Sequence, residues 1–448
     1  MLAAALCAIF FTWRAQMMSI ITHLSSMPYS FSDDELEHRL SASQAAENVY
    51  VAVMNADKKY DVGNDFLDFL FDDSNINASG DLSDSIRRYI DQNGYDDDMW
   101  GKLTGYSFSV LYDMYTGAAY DGSIHIIGDI YAQKTTSLAF GGDVNLSADW
   151  YNMARYREIG IEGCFSDELL KMTNDADIMF VNNEFSISTR GEPLEGKKYT
   201  FRADPADLDI YDALGVDIVS VANNHVYDYG PDAFADTLLH LDEHGTLRVG
   251  AGLDESEASQ TLYVISGGLK FAFCSASSAE INRFTPVANG DNDGVFGMYD
   301  TEKFLSTVTD AKSRADIVIA YIHFGTEGSQ LPDDTHTSVA HSIVDAGADI
   351  VIGAHPHVLQ PIEYYKGAPI VYSLGNFWFN TTDTDTALLT VSASVGINPI
   401  LRYYPCRSVG GRLSLAGDAD ASRIIDKINS GSMHAAIDEN RRVREVLR

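Results

Sequence analysis

Cysteine is scarce in this chain: four residues in 448, at positions 7, 164, 274 and 406, with no Cys-x-x-Cys spacing. That excludes a zinc knuckle and a disulfide framework. Positive charge is scarce too. With 65 Asp and Glu against 31 Lys and Arg, the formal net charge is −34, and a nucleic-acid partner, which needs clustered cations to release phosphate counterions, is excluded. The surplus gives a self-repelling, soluble surface. Carboxylates gather cations only where a specific constellation is built. Long apolar runs are missing near the start: LAAALCAIFFTW, residues 2–13, is too short for a free-standing membrane span, has no basic residues before it and ends at Arg14. We expect a signal or membrane anchor clipped by a late start, in residues 1–27, which would place the rest outside the cytoplasmic membrane, anchored or secreted. A buried N-terminal helix is the alternative.

What is present is apolar residue enough for a large core, 45% of the chain, and length enough for two or three structural units. Residues 28–135 are acidic and helix-leaning: DDELEHRLSASQAAENVYVAVMNA and DLSDSIRRYIDQNG each follow an Asp or Ser start with apolar residues at helical spacing. They carry no chemical motif. The aromatic-rich DMWGKLTGYSFSVLYDMYTGAAYDG suits a packing or lid surface, or plain core.

From Ser137 a near-repeat begins: ADIMFVNNE at 176, VDIVSVANNH at 216, ADIVIAYIHFGTE at 315 and ADIVIGAHPHV at 348. Each is a short β-branched run preceded by a stretch with apolar residues three to four apart. Helix then buried strand, repeated, predicts an α/β layered fold with largely parallel strands. Hairpins are expected at Gly267-Gly268 and Lys366-Gly367, another strand in TDTALLTVSASV, and a helical extension over 406–448. A mixed sheet, or two sheets face to face between helices, fits this best.

Polar residues fall where these strands end, and with the earlier SLAFGGDVNLS they supply Asp143, Asn182, Glu184, Asn224, His225, His323, Glu327, His355 and His357. In α/β sheets the carboxyl ends of strands are where ligands bind. Carboxylates and amide oxygens beside imidazoles suit Mn²⁺, Fe²⁺ or Zn²⁺. Taken singly each has a plain reading: Asp143 as a turn cap after Gly141-Gly142, His323 as a hydrogen-bonded structural residue. His355 and His357 read as a pair, since residues i and i+2 of an extended strand point the same way. Glu184 ends an apolar run, and a buried carboxylate needs a cation or a proton.

The pieces FGGDVNLS, VNNE, ANNHVYDYG, HFGTE, GAHPHVLQPIE and YSLGNFWF, in that order over Ser137 to Tyr404, resemble the CapA family of poly-γ-glutamate capsule synthesis proteins, within the calcineurin-like metallophosphoesterase superfamily. The resemblance implies a four-layer α/β sandwich over residues 136–405, two facing sheets flanked by helices, with one or two divalent ions (Mn, Fe or Zn) at the strand ends. It implies Asp143, Glu184, Asn224, His323, His355 and His357 as metal ligands, with Glu184 in the bridging position. His225 would act as general acid or charge stabiliser, oriented by Asp228, and Asn182, Glu327 and Asn376 would meet the substrate. One departure stands out: the superfamily has Asp-x-His on its first strand, whereas Asn145 follows Asp143 here. The implied substrate is γ-linked polyglutamate or a related anionic cell-surface polymer, with capsule synthase membrane proteins as possible partners. Hydrolysis by metal-activated water is the expected activity, at a phosphoester or a γ-glutamyl amide; the alternative is a non-catalytic, membrane-tethered polymer-binding or export component. Lys197, Lys198 and Arg202 form the nearest cation cluster to offset repulsion of a polyanion, unless they are simply a solvated loop.

Overall fold

The computed structural model describes residues 64–71, 82–93, 103, 105–120, 122–128, 135–280, 284–379 and 383–446. The apolar N-terminal segment and the helix expected over 33–56 lie outside them. The described helices are α1 (Asn64–Phe71), α2 (Leu82–Asn93), α3 (Phe108–Thr116), α4 (Tyr151–Cys164), α5 (Asp167–Asn174), α6 (Asp209–Leu214), α7 (Gly230–His244), α8 (Thr301–Arg314), α9 (Asp334–Asp345) and α10 (Asp418–Gly431), apart from short turns. The strands of the two large sheets are β1 (His125–Ile126), β2 (Thr136–Val144), β3 (Ile178–Asn183), β4 (Ile218–Ser220), β5 (Leu247–Val249), β6 (Leu262–Ser266), β7 (Leu269–Ser277), β8 (Ile317–His323), β9 (Ile350–Ala354), β10 (Ile362–Tyr365), β11 (Ala368–Val371), β12 (Asn376–Trp378), β13 (Asp383–Ser394), β14 (Ile397–Val409) and β15 (Arg412–Leu415).

One sheet runs β15-β14-β13-β2-β3-β4-β5, with β12 paired to the end of β2; the other runs β1-β6-β7-β8-β9-β11-β10. The strands of the near-repeat pair in parallel, β2 with β3 and β3 with β4 in one sheet, β7 with β8 and β8 with β9 in the other. Both expected hairpins form, and their turns use left-handed residues, Gly267 and Gly268 (φ 57° and 79°) and Lys366 and Gly367 (φ 50° and 84°).

Period-two alternation decides the layers. In β8, Ile317, Ile319 and Tyr321 face the opposite sheet, while Val318, Ala320 and Ile322 face the helices outside. Phe180 of β3 meets Phe273 and Tyr321 across the middle, with ring centroids 5.7 and 4.7 Å away. Outside one sheet lie α8 and α9, joined by α1, α2 and α3; outside the other lie α4 to α7. The result is the four-layer sandwich, helix, sheet, sheet, helix. Helix α3 is bound in by the Ser107 N–H on the Gly268 carbonyl (2.8 Å) and by the buried Lys270–Asp113 ion pair (2.5 Å).

The Asp of the near-repeat is structural. The amide of Asp177 donates to the carbonyl of Ser137 while its carboxylate accepts from the Ser137 N–H; Asp217 does both with Met179, Asp316 with Lys270 and Asp349 with Val318. Each clamps the start of its own strand to the start of the parallel neighbour, whose N–H would otherwise be orphaned.

The tail departs from the expected helix. Residues 406–415 finish β14 and form β15, the helix is confined to α10, and an antiparallel ribbon follows, Ala435–Ile437 with Val443–Glu445. Past Gly431 the three-to-four apolar spacing is not kept, and the Asp438 carboxylate closes the turn by accepting from Asn440 and Arg442 N–H (2.8 and 3.0 Å). Among the described residues no helix is long and apolar enough to cross a membrane.

Candidate metal centre

The carboxyl ends of β2, β3, β8 and β9, and the loop after β4, converge between the two sheets. Asp143, Glu184, Asn224 and His323 are fully buried, and His355 nearly so. Asp143 lies beside a close backbone crossing. A Cβ on Gly142 would sit 1.8 Å from the Gly375 carbonyl, the same carbonyl that accepts from the Asp143 N–H (3.0 Å). The glycine pair is therefore needed to admit β12 against β2, rather than to turn the chain as its sequence suggests.

The two histidines also meet by a different route from the expected one. Strand β9 ends at Ala354, and His355 and His357 lie beyond it with φ of 97° and 58°. Left-handed backbone is costly at a bulky residue and persists only where the surroundings enforce it. It brings the ring centroids to 6.0 Å, where extended alternation was anticipated.

Asn182 organises the floor. Its Nδ2 lies 2.8 Å from Asp143 Oδ1, 3.4 Å from Glu184 Oε2 and 3.2 Å from His323 Nδ1, and its Oδ1 accepts from Asn223 Nδ2 (3.1 Å). His357 Nδ1 is 3.2 Å from Asp143 Oδ2 and 2.8 Å from Asn376 Oδ1. His323 Nε2 is 2.9 Å from Asn224 Oδ1 and 3.2 Å from His355 Nδ1. Asn182 and Asn376, expected at the substrate, thus hold candidate ligands in place. Glu327, exposed, groups its carboxylate with His355 and His357.

Two further triads share Glu184: with His323 and His355, and with Asp143 and His357, each with potential ligand atoms within 4.8 Å of one another. Glu184 Oε1 is buried and has no hydrogen-bond partner, yet lies 3.7 Å from His323 Nε2 and 3.6 Å from His357 Nε2. An orphaned carboxylate oxygen facing two imidazoles through a gap wider than a hydrogen bond fits a divalent cation. The titration directions agree. Burial pushes Glu184 well above the ordinary carboxylate range, and Asp143 adds to this. Burial also drives His355 down to about 3 and His323 well below the usual imidazole value. His357 goes the other way: burial opposes its charge, but Glu184 and Asp143 outweigh it and lift it to about 10. With no cation between them, the Asp143 and Glu184 carboxyls thus favour the charged form of His357.

His225 stands beside this set. Its Nδ1 lies 2.7 Å from Asp228 Oδ2, its ring lies tilted against Phe201 with centroids 4.1 Å apart, and burial lowers its pKa although Asp228 counteracts this. Asn223 Oδ1 accepts from the N–H groups of His225 and Val226 (3.0 Å each), so Asn223 is the residue that turns the chain. Asn145 uses its Oδ1 on the Ser147 N–H (2.8 Å), within its own loop. Lys197 is buried against Asp228, whereas Lys198 and Arg202 lie over the rings of Tyr199 and Tyr229. Sequence reasoning missed that burial, and it missed Glu280, whose Oε2 accepts from Asn224 Nδ2 (3.2 Å); neither position carries a motif.

Two facing mixed sheets with helices outside and this ligand set at the strand ends define a calcineurin-like α/β sandwich protein. The chain belongs to the CapA-type family described as bacterial capsule synthesis protein PGA_cap, whose profile matches residues 137–381. It is 31% identical over 268 residues to the PGA biosynthesis protein CapA of Bacillus subtilis (strain 168), covering 58% of this chain and 68% of that one. With the capsule biosynthesis protein CapA of Bacillus anthracis it shares 34% over 231 residues, 50% of this chain and 56% of that one. A hypothetical protein from Thermus thermophilus superposes with a TM-score of 0.38 at 16% identity, over 61% of this chain and 100% of its own.

Proposed function

We propose that the centre holds one or two divalent ions of the Mn, Fe or Zn class, and that the protein uses it to hydrolyse a bond in γ-linked polyglutamate or a related anionic cell-surface polymer. The observation that carries this is Glu184 Oε1, buried, unpartnered and aimed between His323 and His357. Asp143, Glu184, Asn224, His323, His355 and His357 would hold the ions, with Glu184 shared between the two triads. A cation there would supply Lewis-acid charge and acidify an attacking water.

The chain's own groups supply the rest. Asp228 fixes His225 with its Nε2 free of that bond, so this nitrogen would take up the proton released by the attacking water and pass it to the leaving atom. Phe201 and Phe379, edge to face at 5.5 Å, back His225 and His357; His225 is nearly buried, whereas His357 keeps one side open to solvent. Asn376 holds His357, and Asn182 holds Asp143.

A second reading, a non-catalytic polymer-binding or export component working beside capsule synthase membrane proteins, draws support from Asn145, which is turned into its own loop where the superfamily has a ligand histidine. Elemental analysis followed by assays on a chromogenic phosphodiester and on γ-polyglutamate separates the two. Bound metal with cleavage supports the hydrolase; polymer binding retained in His355→Ala without cleavage by the wild type supports the second reading.

A further inference from the structure

One buried cation touches both halves of the centre. Lys197 lies in the loop between Ile187 and Arg202, and its side chain is 3% exposed. Its Nζ donates to Asp228 Oδ1 (2.6 Å) and to the main-chain carbonyl of Asn224, which also accepts from Thr285 Oγ1 (2.8 Å). The same loop closes on Asp228 from two more sides: the Leu194 N–H meets the Asp228 carbonyl (2.9 Å) and the Phe201 N–H meets its Oδ2 (2.7 Å). The face of Phe284 lies 5.8 Å from the ammonium.

A lysine is an expensive way to satisfy a carbonyl, since stripping water from an ammonium costs far more than burying a hydroxyl or an amide. What a neutral donor cannot do is balance the Asp228 carboxylate, itself fully buried. Because one ammonium performs both tasks, the turn carrying Asn224 and the pair His225–Asp228 are held in a single register.

We infer that Lys197 is a positioning residue, which locks the Asn224 turn and the His225–Asp228 pair into one geometry. It touches no reacting atom and acts through those residues. The inference rests on the metal-centre reading for what the turn presents, but not for the lock itself.

The test compares Lys197→Met and Lys197→Arg with the wild type, using two readouts. The first is the downfield proton resonance of His225 Nδ1–H, assigned by its absence from His225→Gln. It should shift in Lys197→Met and return toward the wild-type position in Lys197→Arg. The second is turnover of whichever phosphodiester or γ-glutamyl substrate the wild type cleaves. There kcat should fall by about ten- to a hundredfold in Lys197→Met with KM little changed, as for catalytic groups displaced by about an ångström, and Lys197→Arg should restore part of the loss. An unmoved resonance in folded Lys197→Met, or a rise in KM with kcat intact, overturns the inference. If Lys197→Met does not fold, Lys197→Gln against Lys197→Arg is read the same way: a resonance restored by Arg but not by Gln supports the lock, and equal spectra sink it. A wild type that cleaves nothing contradicts the hydrolase reading, while the resonance still decides the lock.

Discussion

At the scale of the residue, the centre separates groups that would bind an ion from groups that hold or work beside them. Glu184 is shared by two triads, so Glu184→Ala should remove all high-affinity divalent binding, read by metal titration. Asn376 holds His357; Asn376→Ala should weaken binding by about 10–100-fold, the usual cost of losing a residue that orients a ligand. His225 lies outside both triads. His225→Ala should keep its metal content while turnover falls by about a hundredfold or more, and loss of metal in that variant would mean the histidine is a ligand. His357 sets a pH dependence. Its value in the folded protein, about 10, lies above the ordinary 6.5. In chelated protein its stabilising contribution is therefore complete below pH 6.5 and is lost as pH rises through 10. Melting temperatures across pH 6.5 to 10 should fall more steeply for the wild type than for His357→Asn.

At the scale of the element, the sequence showed where strands end because a β-branched run that stops at amides and imidazoles can hardly be anything else. It also showed the hairpins, since paired glycines or Lys-Gly supply the left-handed turn. The reason for Gly141-Gly142 stayed hidden: the Gly375 carbonyl, which would lie 1.8 Å from a Cβ at position 142, comes from more than 230 residues away in the chain. The left-handed His355 and His357 stayed hidden as well, because nothing local asks for that backbone and only the surrounding packing enforces it. Lys197 reads as one more basic loop residue until Asp228 is placed beside it. The repeated Asp looked like punctuation and turned out to be a clamp between neighbouring strands. One clamp gives a signed prediction. Burial raises Asp217 from 3.8 to about 6 although the Met179 N–H counteracts it. The protonated form thus favours folding below pH 3.8, and that advantage is lost as pH rises through 6. Asp217→Asn keeps the acceptor for Met179 and removes the charge, so its melting temperature relative to the wild type should be higher at pH 8 than at pH 4. An equal difference at both would contradict the burial argument.

At the scale of the whole molecule, two sheets bring strand ends from separate halves of the sequence to one place, which explains why a centre spread from Asp143 to Asn376 is built from short local motifs. The four layers and the family were legible because those motifs recur in order; the ribbon after α10 was not, since Ala435 to Glu445 carries no period-two apolar pattern. Net charge bears on the proposed substrate. A surface of −34 repels a polyanion, and salt screens repulsion as well as attraction. Binding of γ-polyglutamate should therefore strengthen as ionic strength rises toward physiological levels; weakening would mean that local cations such as Lys198 outweigh the global field.

The central claim is that the unpartnered Glu184 oxygen marks a divalent cation site. Calorimetric titration of chelated wild-type protein and of Glu184→Ala with Mn²⁺ tests it most directly. The expected result is saturable binding of one or two ions per wild-type chain and none in the folded variant; no binding in either, or the same isotherm in both, would contradict it.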